Sequence, residues 1–320
     1  MDEQMFCFQC EQAAGCTACT GAAGVCGKSA ETAAAQDRLT GALIAFAGQL
    51  IAAGRGPAPE QARLLMQGLF TTITNVNFDE HTVGQLIEKI HAACPGIAED
   101  YDMQQLWQEP DPDVRSLKCF VLFSLRGMAA YNYHARVLGR IDPELDKFYC
   151  TALKAVGTSG LSMEELWLLV QKTGEASFRT MELLDHANTG AFGEPEPTEV
   201  PLTIEKGPFI VISGHDLYDT QQLLAQTEGK GINVYTHSEL LPAHGEAAGA
   251  LQHRHHGVAA GGVGADLLAL FKCEQGHAHQ LILHQGAADD LTGLIVHLFP
   301  QLQGGLLFDI LIHDTLLLVP

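Results

Sequence analysis

Five cysteines crowd the start of the chain, as Cys7, Cys10, Cys16, Cys19 and Cys26 in the run FCFQCEQAAGCTACTGAAGVCGK. Four more, Cys94, Cys119, Cys150 and Cys273, are scattered over the rest of its 320 residues. Thiolates this dense, with glycines between them, suit a soft metal centre: iron–sulfur clusters take four of them, and zinc ribbons take similar pairs. Cys7-x2-Cys10 sets two thiolates on one turn. Cys19 and Cys26 make a second pair around TGAAGV, whose small side chains let backbone N–H groups approach cluster sulfides. Cys16 is spare and matches Cys19 on spacing alone. Cys16-x2-Cys19 lies too near the first pair in sequence to act as a partner zinc knuckle. The spacing therefore favours iron–sulfur, with zinc or unligated thiols as the alternatives.

His215 and Glu239 form a second constellation. Each follows a short β-branched run, PFIVIS (208–213) and INVYT (232–236), separated by a helix-like DLYDTQQLLAQTEGKG. That order predicts a right-handed βαβ unit with parallel strands. Parallel strands deliver the residues after their carboxyl ends to one edge of the sheet, where α/β proteins place their sites. An imidazole and a carboxylate there suit a borderline metal such as iron. His237 and His244 lie close by and read as exposed or supporting groups. His134 reads as a packed or capping histidine. Cys94, Cys119 and Cys150 have apolar neighbours and read as small buried hydrophobes.

The elements that must position these groups are mostly helical. Leu39, Ala42, Leu43, Phe46, Leu50 and Ala53 recur at helical spacing and stop at Gly54. GPAPEQARLLMQGLF predicts a helix opening just after prolines. Segments 79–93, 112–139 and 143–156 are helix-like, and Ser162-Met163-Glu164-Glu165 fits a capping box ahead of a further helix. The expected fold is α+α/β. A helical bundle with the cysteine motif spans 1–200, the start of a Rossmann-like α/β domain spans 201–245, and an atypical tail spans 246–320.

Composition excludes some partners. The net charge is -20, with 38 acidic against 18 basic residues. That argues against nucleic acid or an anionic membrane as a partner. The longest apolar runs, FVLFSL and LWLLV, are too short to span a bilayer. MDEQMFCFQC carries neither a basic n-region nor an apolar h-region, so no secretory signal and a cytoplasmic location are expected. Thiols stay reduced there, which favours metal binding over disulfides.

Several blocks together resemble the hybrid-cluster proteins, also called prismane proteins or hydroxylamine reductases. They are FCFQCEQ…GCTACTGAAGVCGK, TNVNFD (74–79), LRGMAAYNYHA (125–135), LLDHANTGAFGEPEPTEV (183–200) and FIVISGHDLYDTQQLLAQTEGKGINVYTHSELLPAHG (209–245). The resemblance covers about residues 5–245. It implies a helical N-terminal region followed by Rossmann-like domains. It implies a cubane-type cluster, four-iron in preference to two-iron, on Cys7, Cys10, Cys19 and Cys26. It also implies a mixed iron–sulfur–oxygen hybrid cluster, with His215 and Glu239 among its ligands. The implied activity is reduction of hydroxylamine to ammonia, with nitric oxide as a second substrate and electrons supplied by a redox donor.

The resemblance fades after Gly245, and so does ordinary composition. Residues 246–320 contain no Ser, Asn, Met, Trp or Tyr, yet hold eight of the 15 histidines and 16 leucines. No helix or strand period is evident in this stretch. It reads as out-of-frame or fused sequence, or alternatively as a histidine-rich metal tract in HRHH (253–256) and HAH (277–279). The family's remaining hybrid-cluster ligands are expected beyond this point, so the chain reads as truncated. Two ligands alone do not hold a four-iron centre, which leaves an electron-transfer fragment, or a zinc-binding interaction module, as alternatives to an enzyme. A βαβ unit with two strands would also leave its sheet edges open.

Overall fold

The computed structural model describes residues 5–10, 18–73, 77–97, 99–200, 206–214, 216–245, 255–257, 282–285 and 292–298. These described residues fall into two units, one up to Gly193 and the other from Glu194 onward.

The first unit is helical. Helix α1 (Ala30–Ala52) starts where the Ser29 hydroxyl accepts the Thr32 N–H at 3.1 Å. The periodic residues Leu39, Ala42, Leu43, Phe46 and Leu50 are all buried, as their spacing requires. The helix begins nine residues before Leu39, because Thr32, Ala33, Ala35 and Gln36 also face inward. Ala53 falls instead at the C-cap and is exposed. Helix α2 (Pro59–Thr71) opens on proline, whose missing N–H would have had no intrahelical partner. Its Gly68 lies so near α1 that a Cβ would sit 2.8 Å from a Leu43 methyl.

Helix α3 (Glu80–Ala93) is capped by Asp79, and a single turn, α4 (Gln104–Trp107), follows. Helices α5 (Pro112–Val137) and α6 (Pro143–Val156) share one start signal. In each, an Asp N-cap, Asp111 or Asp142, precedes Pro at the first position and accepts two backbone N–H groups. Helix α7 (Met163–Phe192) carries the expected capping box: Ser162 Oγ accepts the Glu165 N–H at 3.2 Å, and Glu165 Oε2 accepts the Ser162 N–H at 2.8 Å. One continuous apolar core joins α1, α2, α3, α5 and α6, with Leu169 and Ala176 of α7 on its margin.

The second unit is α/β. Strand β1 (Phe209–Gly214) leads through α8 (Leu217–Thr227) to β2 (Asn233–His237), and the two strands run parallel with Phe209 opposite Asn233 and Ser213 opposite His237. Ile210, Val211 and Ile212 are buried in succession, so both faces of β1 are covered, as is usual for a parallel sheet. A 3-10 helix, Ser238–Gly245, follows β2.

The stretch after Gly245, whose sequence shows no helix or strand period, contributes to the sheet. Its described residues form three strands: β3 (His255–Gly257), β4 (Ile282–Gln285) and β5 (Thr292–Leu298). β3 pairs with β2 and β5 pairs with β1, both parallel, while β4 runs antiparallel to β5. The sheet order is β3-β2-β1-β5-β4. The edges of β1 and β2 that a two-strand unit would leave open are therefore paired. TGLIVHL is rich in apolar and β-branched residues, which suits a central strand although it does not alternate. Among the described residues no helix is long and apolar enough to cross a membrane.

Candidate metal centre

The cysteine motif is held by its backbone. Cys7 N–H donates to Cys19 O at 3.0 Å and Cys19 N–H donates to Cys7 O at 2.8 Å. This is an isolated antiparallel bridge. Such a doubly bonded pair holds its Cα atoms about 5.5 Å apart. Residues that lie twelve apart in sequence thus become direct neighbours. Both are nearly closed to solvent, Cys7 at 7% and Cys19 at 6% exposure. They pack with Met5 and Ala33, and with Phe8 and Ala30 at the margin.

Cys26 sits in a tight turn. Gly27 N–H donates to Gly24 O at 2.9 Å, and Gly24 N–H donates to Lys28 O at 2.8 Å. Gly27 has φ of 85°, a conformation glycine adopts at little cost. A Cβ on Gly24 would stand 3.4 Å from Cys26 Sγ, so the turn wraps closely round that sulfur. Cys10 and Cys26 are both half-buried. Cys16 lies outside the described residues.

Beneath the motif is a buried polar network that spacing alone does not reveal. Lys28, 2% exposed, donates through Nζ to Gln9 Oε1 at 3.4 Å and to Gln36 Oε1. Gln9 Nε2 donates to Asp37 Oδ1 at 2.6 Å, and Trp107 Nε1 donates to Asp37 Oδ2 at 3.1 Å. From α5, Arg126 donates through NH1 to the Gln9 carbonyl at 3.2 Å and through NH2 to Thr40 Oγ1 at 3.1 Å. Gln9 lies between Cys7 and Cys10, so this arginine grips the Cys7–Cys10 loop directly.

The charges are uneven. Two cations, Lys28 and Arg126, share this pocket with one carboxylate, Asp37. Burial pulls the Arg126 guanidinium down to about 10, which leaves it charged at neutral pH. Its Nε–H has no partner among the described residues. Burial raises the Cys7 thiol, while the Lys28 charge draws it back down. Burial likewise raises the Asp37 carboxyl against its two hydrogen bonds and the nearby cations. A buried surplus of positive charge is costly unless an anion offsets it. Thiolates bound to iron are such an anion, so the donor set and the charge beneath it fit an iron–sulfur group. Among the described residues, no three Cys, His, Asp or Glu side chains close to metal-ligand spacing. The fit rests on donor chemistry and charge.

The signal for these supporting residues lay in helix periodicity. Gln36 and Thr40 are one turn apart on the buried stripe of α1. Arg126 lies on the buried stripe of α5, four residues after Leu122 and three before Ala129. A charge at a core position marks something to neutralise.

In the second unit, His215 lies outside the described residues, immediately after β1. Gly214 ends the strand with φ of 129°, a conformation that side chains rarely adopt. Glu239 is the second residue of the 3-10 helix that follows β2, and its side chain lies outside the described residues. Of the two readings of His244, the exposed one is corrected: the side chain is buried, and its Nε2 shares a hydrogen bond of 2.7 Å with Thr236 Oγ1. Thr236 belongs to β2, so the bond ties the 3-10 helix to that strand. His134 packs edge-on against Phe70 with ring centroids 5.5 Å apart. Cys119 and Cys150 are buried as expected, whereas Cys94 caps α3 and is half-buried. Cys273, HAH (277–279) and the first two residues of HRHH fall outside the described residues.

Known proteins resemble this chain over much of its length. Residues 5–275 match the Prismane/CO dehydrogenase family, so the match runs past Gly245. The hydroxylamine reductase of Maridesulfovibrio salexigens is 42% identical over 269 residues, covering 75% of this chain and 50% of the relative. That of Desulfovibrio desulfuricans is 41% identical over 274 residues, covering 76% and 50%. That of Porphyromonas gingivalis is 40% identical over 273 residues, again covering 76% and 50%. The chain spans about half the length of these relatives. A solved carbon monoxide dehydrogenase chain from Thermococcus sp. AM4 covers 81% of this chain and 43% of its own length, at 17% identity and a TM-score of 0.27, too low to support an argument. On the breadth of the family match and the identity to its relatives, the chain belongs to the Prismane/CO dehydrogenase family.

Proposed function

We propose that this chain binds an iron–sulfur cluster on Cys7, Cys10, Cys19 and Cys26 and serves in the reduction of hydroxylamine, the activity for which its relatives are named. The observation that carries the metal assignment is the Lys28 and Arg126 pair buried beside the Cys7–Cys10 loop. When bound, such a cluster supplies one-electron transfer; a four-iron cubane is favoured over a two-iron centre. The chain's own residues do the rest. The reciprocal Cys7 and Cys19 hydrogen bonds fix one edge of the ligand set. Phe8, set edge-on to Trp107 with centroids 5.9 Å apart, and Met5 shield that edge from water. Lys28 and Arg126 offset the thiolate charge.

His215 and Glu239 are proposed as ligands of the second, mixed iron–sulfur–oxygen centre. The supporting observation is register. Ser213 is opposite His237, and His215 and Glu239 each lie two residues further along the chain. The substrate is hydroxylamine, with nitric oxide as the alternative, and a redox donor in the cytoplasm supplies electrons.

Anaerobic reconstitution with iron and sulfide tests the reading. Roughly four irons per chain, lost on Cys7→Ala or Cys26→Ala, are expected from the N-terminal cluster, with further iron that survives these substitutions from the second centre and hydroxylamine-dependent oxidation of a reduced dye. Colourless protein carrying only zinc would refute the iron–sulfur assignment. Iron-loaded protein that leaves the dye reduced would refute hydroxylamine turnover by this chain.

A further inference from the structure

We propose that Arg126 is a positioning residue for the N-terminal cluster: its guanidinium ties the Cys7–Cys10 loop to α1, and its charge favours the reduced state of the bound centre. The inference rests on the iron–sulfur reading above.

The geometry has two parts. Arg126 is 3% exposed and donates across a gap between two elements. NH1 reaches the Gln9 carbonyl at 3.2 Å and NH2 reaches Thr40 Oγ1 of α1 at 3.1 Å. Planar, fixed donors of this kind set distance and direction together, which lysine does not reproduce. The loop so held contains Cys7, already paired with Cys19. Release of the Gln9 carbonyl therefore frees one side of the ligand set.

The second part is charge. Reduction adds one electron to a centre whose thiolates are already negative. A buried cation stabilises the more negative state, and low local dielectric makes the effect large. Lys28 contributes in the same sense and Asp37 in the opposite sense. Asp37 is bound into the same network through Gln9, so the two effects are separable by sign.

The test uses the full chain, reconstituted anaerobically, and a potentiometric titration followed by electron paramagnetic resonance. Arg126→Met is expected to shift the reduced-to-oxidised ratio at fixed potential at least tenfold toward oxidised, which is 59 mV for one electron. Asp37→Asn, which keeps one acceptor for Gln9 or Trp107, is expected to shift the ratio toward reduced. Arg126→Lys keeps the charge but not the fork. It should hold the ratio within about threefold of wild type, yet speed amide exchange of residues 5–10 in the metal-free chain. Thr40→Val should also speed that exchange with the arginine intact.

Opposite signs in the Met and Asn variants support the electrostatic role, because a merely loosened loop would move both the same way. Same-sign shifts, or a Met variant within twofold of wild type, would overturn it. Unchanged exchange in both the Lys and Val variants would overturn the positioning role. If the wild-type chain takes up no iron, the cluster reading fails, while the exchange measurements still decide whether Arg126 holds the loop.

Discussion

Helix α1 is the platform on which the cysteine motif rests, and Gly41 is where that platform meets the rest of the first unit. A Cβ built on Gly41 would stand 2.1 Å from the Tyr101 carbonyl oxygen. That is roughly 1 Å or more inside ordinary contact. The obstacle is backbone, so no rotamer change relieves it. The same approach lets Tyr101 N–H donate to Gly41 O at 3.2 Å. In Gly41→Ala, helix propensity returns about 1 kcal/mol. Overpacking costs about 1–3 kcal/mol, and the strained hydrogen bond costs about 1 kcal/mol. The net is a loss of about 1–3 kcal/mol, or roughly 2–12 °C in the melting temperature for a unit of this size.

Gly48 provides the control within the same helix. Nothing lies within 4 Å of a Cβ there. Gly48→Ala should therefore gain up to about 1 kcal/mol from propensity alone. Thermal and urea melts of the metal-free chain, followed by far-ultraviolet circular dichroism, give both values. Gly41 also follows Thr40, which accepts from Arg126, so Gly41→Ala should load iron less completely than Gly48→Ala. If both substitutions stabilise the chain, the close approach of Tyr101 is not what Gly41 is for, and the reasoning fails.

Arg136 and Asp146 form a buried ion pair between α5 and α6. Arg136→Met leaves the carboxylate unpaired and should cost about 3–5 kcal/mol, read as a fall in the urea midpoint. Ser162→Ala removes the capping box of α7 and should cost about 0.5–2 kcal/mol, checked in the same way. Burial raises the Cys119 and Cys150 thiols to about 11 and about 12. At pH 8 iodoacetamide should therefore label Cys10 and Cys26 of the metal-free chain well before Cys119 or Cys150, as peptide mass mapping would record. The same raised values predict alkaline destabilisation. The native chain keeps these protons where the unfolded chain loses them, above about pH 8.5. Their contribution is thus complete below that pH and declines toward pH 11–12, by about 1.4 kcal/mol per pH unit for each thiol. A urea-midpoint slope between pH 8.5 and 10 that is unchanged in Cys150→Ala would contradict this.

The helices were legible because local signals agreed with the apolar period. Asp111-Pro112 and Asp142-Pro143 state a start, and Ser162 with Glu165 states another. The βαβ unit was legible for a similar reason, since β1 and β2 are short β-branched runs on either side of one helix. Strand β5 was not. Its TGLIVHL sits in a leucine-rich stretch with no period, and only pairing with β1 distinguishes it from apolar chain of any other kind. Strand identity there is a long-range property, carried by the partner.

The proposed metal site divides along the same line. Ligand types and their spacing are local, so the cysteines were visible at once. Their support is not local. Gln9, Lys28, Asp37, Thr40 and Arg126 come from a loop, a turn and two helices, and they meet only when the loop and turn settle on α1 and Arg126 reaches across from α5. Each taken alone is an ordinary polar residue. What sets them apart is burial without charge balance, two cations to one carboxylate. A fold pays that cost where something negative belongs. In the proposed cluster the thiolates would supply the anion, and on that reading the network and the motif form one site.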